Sequence, residues 1–168
     1  MILISLEKFG SFSLTDFTSL NSKEKEMVLK WRNHSDIKKW MYNKEDISLK
    51  NHLDYIENLK ECSDKKYFLV KQGTEYIGVV DFMHIDYNKE ECEFGLYANP
   101  FDKIVGIGRI LEELCIEYVF SVLKLKKLKL EVLIRNEKAL NLYKKYNFKE
   151  VGTKEINGNE VICMELVK

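Results

Sequence analysis

Three consecutive segments in the middle of the chain constrain its fold more than any other feature of the sequence. They cover residues 65–72, 75–85 and 91–98, and all three are rich in aromatic and β-branched residues. Gly73 separates the first two, and Asp-Tyr-Asn-Lys at 86–89 separates the second from the third. Both separators are typical of hairpin turns, so the pattern predicts an antiparallel meander of three strands.

Helical periods flank this meander. Before it, a weakly alternating segment at 11–20 predicts a strand, Asn21 and Glu24 have the spacing of a capping box that opens a helix, and a second helix begins near Ser48. After it, apolar residues recur at helical spacing from Ile107 to Val122. The remaining predicted elements are a strand at 127–134, a helix at 137–146 and a hairpin of segments 148–156 and 160–168 that turns at Asn157-Gly158.

This order of elements predicts an α+β fold. We expect seven strands in a mixed, mainly antiparallel sheet with helices on both faces. The order does not fit a doubly wound parallel sheet, because that fold needs strands and helices in strict alternation. The sequence has no internal repeat, no low-complexity segment and no linker of proline, serine or glycine. We therefore expect residues 1–168 to form one domain.

Charge and cysteine content exclude several classes of protein. Lys and Arg number 27, as do Asp and Glu, whereas a nucleic-acid-binding protein usually carries a basic excess or stripe. The four cysteines have neither C-x-x-C spacing nor a close histidine, so we expect reduced thiols, no metal site and a cytoplasmic protein. The N-terminal ten residues do not resemble a signal peptide, and no apolar run approaches the ~18 residues of a membrane span.

The stretch Lys103–Ile110, KIVGIGRI, precedes the long helical period and contains two glycines. The first turn of a helix offers free N–H groups, and glycines let a bulky anion reach them, so the stretch can cradle a diphosphate with help from Lys103. An ordinary turn explains the local sequence equally well. A dinucleotide-binding turn is excluded because Leu111 stands where a third glycine is required and the preceding strand belongs to a meander, and a P-loop is excluded because no Gly-Lys-Ser/Thr follows.

The second half of the chain resembles the GNAT superfamily of N-acetyltransferases. Lys103, Gly106 and Gly108 match its Gln/Arg-x-x-Gly-x-Gly/Ala motif for a pyrophosphate, with Lys in the first position. The motif Asn-x-x-Ala-x-x-Leu/Phe-Tyr-x-x-x-Gly-Phe is matched further on, by Asn136, Ala139, Leu142, Tyr143 and Phe148, while Asn147 replaces the glycine. Asn tolerates the left-handed backbone that a helix C-terminus often needs, so we expect this replacement to be harmless.

The resemblance implies acetyl-CoA as co-substrate and assigns residues to it. It implies that a splayed strand at 94–98 binds the pantetheine arm through its backbone, and that Tyr143 is the general acid that protonates the leaving thiolate. Tyr146, three residues further along the same helix, is less suited to this role. The residues expected at the cofactor are Leu96, Tyr97, Ala98, Lys103, Gly106, Ile107, Gly108, Arg109, Asn136, Ala139 and Tyr143. Asn136 is equally explained as the N-cap of its helix.

The base that would take the proton of the amine is left open by the sequence. Glu93, Asp81 and Glu131 all lie on strands that would border the cleft, and period-2 alternation puts Glu93 on the same face as Gly95 and Tyr97. Each of the three carboxylates could instead be an ion-pair partner, and solvent could take the proton. We keep Glu93 and Asp81 as candidate catalytic residues together with Tyr143.

The N-terminal half has a narrower resemblance, to the acetyltransferases of pseudaminic acid biosynthesis. It rests on LKWRNHSDIKKWM, ISLKNHLDYIENL, KKYFLV and IGVVDF, and it implies acetylation of the 4-amino group of a UDP-linked 4-amino-4,6-dideoxy sugar, on the route to flagellin glycosylation. Arg32 can bind phosphate oxygens, and Trp40 or Tyr42 can stack on a ring. The residues expected at this substrate are Arg32, His34, Met41, Tyr42 and His52, of which Met41 and His52 are also explained by packing.

Two other functions remain open at this point. A protein N-terminal acetyltransferase of the ribosomal-protein type shares the sequence EFGLY at 93–97 and the same cradle, but it has no obvious need for Arg32, His34 and His52. A non-catalytic acetyl-CoA sensor is the third possibility, and the presence of Tyr143 argues against it. We expect a monomer or a homodimer that contacts neither nucleic acid nor membrane.

Overall fold

One sheet of eight strands organises the chain. The computed structural model describes residues 1–168. The strands are β1 (Ile2–Leu6), β2 (Gly10–Asp16), β3 (Lys66–Gln72), β4 (Glu75–Asp86), β5 (Glu91–Ala98), β6 (Lys127–Leu133), β7 (Lys149–Ile156) and β8 (Asn159–Val167). The α-helices are α1 (Ser22–Asn33), α2 (Ser35–Lys38), α3 (Leu49–Leu59), α4 (Ile107–Glu117) and α5 (Glu137–Lys145).

The strands lie in the order β1-β2-β3-β4-β5-β6-β8-β7. Every neighbouring pair is antiparallel except β5 and β6, which run parallel. The parallel pairing is short, because it covers only Glu91–Glu93 of β5 against Lys127–Lys129 of β6. From residue 94 onwards β5 pairs with β4 alone, so the sheet opens into two halves at this point.

The prediction of an α+β fold with a mainly antiparallel sheet and helices on both faces is confirmed. The predicted count of seven strands was wrong, because β1 was not recognised in the N-terminal segment. In that segment Ile4 and Leu6 are buried while Leu3 is exposed, so an apolar residue on the outer face hides the alternation. The first predicted strand, 11–20, ends at Asp16, and residues Phe17–Ser19 form a 3-10 turn.

Each face of the sheet carries its own apolar core. Along β3, Phe68 and Val70 belong to the larger core, whereas Leu69 between them belongs to the smaller one. The larger core packs against α4 and α5, and the smaller core packs against α1 and α3. A strand buried on both sides must be apolar at successive positions, which is why β3 and β4 lack a clear alternation of polar and apolar residues.

Local sequence signals determine where most helices begin and end. The capping box of Asn21 and Glu24 opens α1, and Ser48 and Asn136 cap α3 and α5 with their side chains. Asn147 adopts a φ of 69° after α5, as expected for a residue that replaces glycine. The helical period predicted as far as Val122 is one α-helix to Glu117 followed by a π-helical turn, Tyr118–Val122, in which Val122 is exposed.

None of the helices combines the length and the apolar composition that a membrane-crossing helix needs. The four cysteines, Cys62, Cys92, Cys115 and Cys163, are unpaired. No group of three or more histidine, cysteine, aspartate or glutamate side chains is arranged to hold a metal ion.

Candidate active site

The N-terminus of α4 differs from those of α1, α3 and α5 because no side chain caps it. Gly106 occupies the N-cap position with a φ of 77°, a conformation that favours glycine, and a Cβ there would meet nothing within 4 Å. The N–H of Ile107 donates to the carbonyl of Ile104, but the N–H groups of Gly108 and Arg109 have no protein acceptor. Two free donors and the positive end of the helix dipole make this terminus suitable for an anion.

The charged residues of the cradle lie where an incoming diphosphate could reach them. Lys103 and Arg109 are exposed on the two sides of the glycines, and Ile107 turns its side chain towards the larger core. Gly108 faces α5, because a Cβ at this position would meet Cδ2 of Leu142 at 3.4 Å. The five predicted residues Lys103, Gly106, Ile107, Gly108 and Arg109 are therefore contiguous around one helix terminus.

The sheet opens between β5 and β6 along the strand that precedes the cradle in the chain. Leu96, Tyr97 and Ala98 lie on the part of β5 that has no partner on its β6 side, which matches the splayed strand expected from the family. Their backbone groups on that side are free to bind an extended chain in the manner of an added strand. Asn136 accepts a hydrogen bond from the N–H of Ala139 at 3.3 Å, so its role as an N-cap is confirmed. Its side chain also lines a cavity at the opening of the sheet.

A cavity of about 420 Å³ lies at this opening. It is lined by 21 residues, of which 14 are hydrophobic, and they come from all parts of the chain between Phe17 and Tyr143. Among the predicted residues it brings together are Arg32, Met41, Tyr42, His52, Asp81, Glu93, Leu96, Tyr97, Asn136 and Tyr143. His34 is not among them, because it caps the short helix α2 and packs edge-on against Phe101 at 5.2 Å.

Tyr143 lines the cavity with an aromatic ring that is fixed on two sides. The rings of Phe94 and Phe148 pack against it at 6.2 and 5.9 Å. Burial, followed by the negative charges around it, raises the pKa of Tyr143 far above its ordinary value, so the phenol keeps its proton at any physiological pH. Tyr146, by contrast, donates its hydroxyl hydrogen to Glu113 at 2.7 Å and does not line the cavity.

Asp81 is the most deeply buried carboxyl of the cavity wall. It lies opposite Gly95 in the pairing of β4 with β5, and a Cβ on residue 95 would come within 2.8 Å of its Oδ2. Glycine at this position therefore leaves the carboxyl room to face the cavity. Burial raises the pKa of Asp81 to about 7, which makes it a base that is half deprotonated at neutral pH.

Glu93 and Glu131 lie in different electrostatic surroundings. The carboxylate of Glu93 lies 3.7 Å from the imidazole of His84, and His84 sits at a φ of 54° where β4 and β5 lose register. Glu131 forms an ion pair with Lys154 and accepts a hydrogen bond from Tyr42 at 2.5 Å. Although burial acts in the opposite direction, these two partners hold the pKa of Glu131 below its usual range, so it is a weaker base than Asp81.

Arg32 brings an incompletely satisfied cation to the cavity. Its Nη2 donates to the carbonyl of Asn43 at 3.0 Å, whereas its Nη1 is buried without any hydrogen-bond partner. Burial lowers the pKa of Arg32 against the opposing effect of Tyr97, Tyr67 and Asp46, but a guanidinium stays charged in proteins. A buried donor without a partner costs free energy until a ligand satisfies it, so Arg32 is prepared for an anionic or strongly accepting group.

His52 is less suited to bind phosphate than the sequence indicated. Its Nε2 lies 2.8 Å from the carbonyl oxygen of Lys25, so this nitrogen carries the hydrogen and donates it. Burial lowers the pKa of His52, which keeps the ring neutral and leaves Nδ1 as an acceptor only. The ring can accept a hydrogen bond from a ligand, but it has no second hydrogen to give to a phosphate.

Residues 39–47 form a strap over the cavity. Tyr42 anchors it through its bond to Glu131 on β6, 89 residues away. Arg135 anchors it a second time by donating to the carbonyl of Lys39 at 3.0 Å and by stacking on Trp40 at 5.4 Å. Met41 and Ile47 of the strap line the cavity, so the strap forms part of its wall.

Sequence reasoning did not find every residue of this wall. Phe17, Tyr55 and Tyr67 line it from elements of the N-terminal half, and their helical or strand periods indicate only packing. Tyr67 accepts a hydrogen bond from Tyr55 at 3.0 Å and donates towards Met83. For Tyr67 the aromatic content of the segment 65–98 was the available signal, but nothing in the sequence separates an aromatic residue in a cavity wall from one in a core.

Comparisons with known proteins agree with this geometry. A family model described as an acetyltransferase (GNAT) domain matches residues 17–149. Acetyltransferase PseH from Campylobacter jejuni is 46% identical over 135 residues, which cover 80% of this chain and 83% of that protein. The crystal structure of C. jejuni N-acetyltransferase PseH in complex with acetyl coenzyme A superposes with a TM-score of 0.76 at 37% identity, covering 94% of this chain and 99% of that chain.

A second group of similar structures consists of spermidine N-acetyltransferases. The crystal structure of spermidine N-acetyltransferase from Vibrio cholerae in complex with CoA and spermine superposes with a TM-score of 0.82, covering 93% of this chain and 95% of that chain. The sequence identity of this match is 23%, so the likeness shows a shared fold and nothing about the acceptor.

Proposed function

We propose a reaction from one premise, which is that the chain belongs to the GNAT family of acetyltransferases. It is an N-acetyltransferase that uses acetyl-CoA. The proposed acceptor is the 4-amino group of a UDP-linked 4-amino-4,6-dideoxy sugar in pseudaminic acid biosynthesis, as the resemblance of the N-terminal half implies. The single observation that supports a nucleotide-sugar most is the buried, unpartnered Nη1 of Arg32 in the wall of the cavity.

The cradle at α4 supports the acetyl-CoA side of this proposal. The free N–H groups of Gly108 and Arg109 would donate to the pyrophosphate, and Lys103 would contribute a point charge. The unpaired edge of β5 at 94–98 would bind the pantetheine arm through main-chain hydrogen bonds. The acetyl group would then lie at the opening between the strands, where Tyr143 and Asp81 line the cavity.

The chemistry of the cavity supports a deoxy-sugar that carries a diphosphate. A 6-deoxy sugar presents a methyl group where an ordinary hexose has a hydroxyl, and most of the lining residues are hydrophobic, among them Met41, Tyr55 and Met83. The diphosphate and the uracil would need donors, which Arg32 supplies from the N-terminal half.

The proposed reaction is direct attack of the neutral amine on the thioester carbonyl. Asp81 is the base we favour, because its carboxyl faces the cavity and burial places its pKa at about 7. As the carbon–sulfur bond breaks, Tyr143 would give its proton to the thiolate, and the N–H groups of the open part of β5 would stabilise the oxyanion. The amine proton goes to Asp81, the phenol proton goes to sulfur, and solvent exchange returns both groups to their starting states.

The proposal covers residues 1–168 as one acetyltransferase domain. Acetyl-CoA and UDP-sugars are cytoplasmic metabolites, so the reaction would take place in the cytoplasm, and its product would serve flagellin glycosylation as the family resemblance implies.

The experiment that tests the proposal measures free thiol released from acetyl-CoA by the purified protein. The acceptors are a UDP-4-amino-4,6-dideoxy sugar, the same sugar with a 6-hydroxyl, N-terminal peptides and spermidine. We expect turnover with the first acceptor and at least tenfold lower kcat/KM with its 6-hydroxy analogue, because a hydroxyl would be buried without a partner. Turnover with a peptide or with spermidine alone would refute the proposed acceptor, and tight binding of acetyl-CoA without any turnover would favour a sensor.

A further inference from the structure

Lys154 lies outside the cavity and yet bonds one of the groups that form its wall. It stands on β7, at the edge of the sheet, and its ammonium pairs with Oε1 of Glu131 on β6. The other oxygen of that carboxylate, Oε2, accepts the hydroxyl hydrogen of Tyr42. Glu131 and Tyr42 both line the cavity, whereas Lys154 does not. An ion pair and a hydrogen bond in series therefore join the edge of the sheet to the strap.

The pairing of β6, β8 and β7 explains how Lys154 reaches Glu131. Glu131 lies opposite Cys163 of β8, and Cys163 lies opposite Gly152 of β7. Lys154 follows Gly152 by two residues, so its side chain points to the same face of the sheet as that of Glu131. The long lysine side chain can therefore cross β8 and meet the carboxylate.

The strap depends on side chains for its position. No main-chain group of residues 42–47 forms a hydrogen bond with another main-chain group. On the α1 side, Arg32 donates to the carbonyl of Asn43, and the amide of Asn33 bonds both main-chain groups of Ile47. These bonds hold the second half of the strap to one side of the cavity.

On the β6 side, the bond from Tyr42 to Glu131 is the only hydrogen bond that residues 42–47 form. Arg135 adds a bond to Lys39 at the beginning of the strap. Because β5 and β6 are no longer paired beyond the first three residues of β6, the strap joins two parts of the sheet that have separated. Without the bond of Tyr42, the middle of the strap would be held from the α1 side alone.

Charge makes the bond of Tyr42 depend on Lys154. Glu131 shares the cavity wall with the carboxyls of Asp81 and Glu93, so a negative charge without a partner is unfavourable there. Burial acts to raise the pKa of Glu131, and the bond from Lys154 is the strongest of the effects that lower it. Lys154 thus keeps the carboxylate ionised, and a hydrogen bond to an ionised acceptor is roughly twice as strong as a neutral one.

We propose that Lys154 is a positioning residue for the acceptor, because through Glu131 it fixes Tyr42 and thereby holds the strap over the cavity. The inference rests on the proposed function, since it takes the UDP-sugar as the ligand that the strap covers. A loosened strap must be ordered when the acceptor binds, and this cost lowers the affinity for the acceptor. The proposed acetyl-CoA site uses main-chain groups of α4 and β5, so its affinity does not depend on the strap.

The first test compares steady-state kinetics of the wild type with those of Lys154→Gln. We expect the KM for the UDP-sugar to rise roughly fivefold, while kcat and the dissociation constant of acetyl-CoA stay within about twofold. Lys154→Arg keeps the ion pair and is expected to keep the KM within about twofold. Lys126→Gln is the matched control, because it removes an exposed lysine that pairs with Glu90 at 2.8 Å, and its KM should equal that of the wild type. An unchanged KM in Lys154→Gln would overturn the proposal.

A double-mutant cycle tests whether Lys154 acts through Tyr42. Tyr42→Phe is expected to raise the KM for the UDP-sugar roughly tenfold. Since the hydroxyl is then absent, adding Lys154→Gln to Tyr42→Phe should change the KM no further. If the two effects multiply instead, Lys154 does not act through the strap and the proposal is wrong.

A measurement without turnover separates this inference from the proposed acceptor. Trypsin cleaves after lysine, and Lys44 is an exposed lysine in the middle of the strap. Cleavage there requires local release of the strap, so we expect it to be at least roughly threefold faster in Lys154→Gln than in the wild type or Lys126→Gln. Equal cleavage rates would contradict the inference. If the acceptor is not a UDP-sugar, the wild type releases no thiol with it, but the difference in cleavage rate remains.

Discussion

The two ends of the cleft are built in different ways. The proposed acetyl-CoA end offers backbone groups that are close in sequence, namely the N–H groups at the start of α4 and the unpaired edge of β5. The proposed acceptor end is lined by side chains that are far apart in sequence, such as Arg32, Asp81 and Glu131. Backbone recognition suits a cofactor with a fixed shape, whereas a wall of side chains can change its chemistry with one substitution. The two ends should therefore respond separately to mutation.

The largest expected effect lies where the two ends meet. Tyr143→Phe keeps the ring between Phe94 and Phe148 but removes the proton donor, so kcat is expected to fall by roughly 100-fold or more. The dissociation constant of acetyl-CoA should stay within about twofold of the wild-type value. Steady-state kinetics and titration calorimetry measure the two quantities, and an unchanged kcat would remove Tyr143 from the role of acid.

The next largest effect is expected when the proposed base, Asp81, is replaced. Asp81→Asn is expected to lower kcat/KM at pH 7.5 by roughly 30-fold, because the amine then loses its proton only to solvent. In the wild type kcat/KM should rise with pH through about 7, since Asp81 becomes an active base only as it ionises. That acid limb should be absent in Asp81→Asn.

Glu93→Gln is the matched control for the base, because Glu93 is a second candidate base on the cavity wall. If Glu93→Gln abolishes the acid limb and Asp81→Asn leaves it in place, the base is Glu93.

The acceptor end alone should respond to Arg32→Lys. Lysine keeps the charge but loses the fork that satisfies Asn43 and the ligand together, so the KM for the UDP-sugar is expected to rise roughly 10-fold to 30-fold. The affinity for acetyl-CoA should not change. Arg135→Lys, at the outer side of the strap, is expected to raise that KM by less than about threefold. A loss of acetyl-CoA affinity in Arg32→Lys would show that the two ends are not separate.

The smallest effect is expected at the cradle, and two glycines allow a clean comparison. Gly106 and Gly158 have φ values of 77° and 76°, and at both positions a Cβ would meet nothing within 4 Å. Alanine at either position therefore costs about 1 kcal/mol of stability through backbone strain. Only Gly106→Ala is expected to weaken acetyl-CoA binding, by roughly fivefold, because only Gly106 lies where a diphosphate would approach. Equal dissociation constants for the two variants would contradict the cradle.

The same contrast explains what could be predicted from the sequence. The cradle and α5 are encoded locally, so the glycines, the capping residue Asn136 and the left-handed Asn147 could all be recognised from short motifs. The strand β1 could not, because Leu3 interrupts its alternation. The pairing of Tyr42 with Glu131 and the loss of the free hydrogen on His52 depend on contacts between distant segments, which no local pattern records.

Asp81 and Glu112 show the same limit for charge. Aspartate and glutamate residues usually lie on the protein surface. Only the packing of neighbouring elements determines that Asp81 and Glu112 are buried and that their pKa values are raised. Asp81 could be considered from its sequence position, because it lies on a strand predicted to border the cleft. It offered no signal for Glu112, which follows an apolar pair on a helix with many charged residues.

The bond between Tyr42 and Glu131 also has a consequence for biosynthesis on the ribosome. Glu131 is held in turn by Lys154 of β7, the strand that closes one edge of the sheet. The strap near residue 42 therefore acquires its partners Glu131 and Arg135 only after β6 has been synthesised, whereas the residues of the cradle are synthesised some twenty positions earlier. A nascent chain that stops before β6 would have a complete cradle sequence and an unanchored strap.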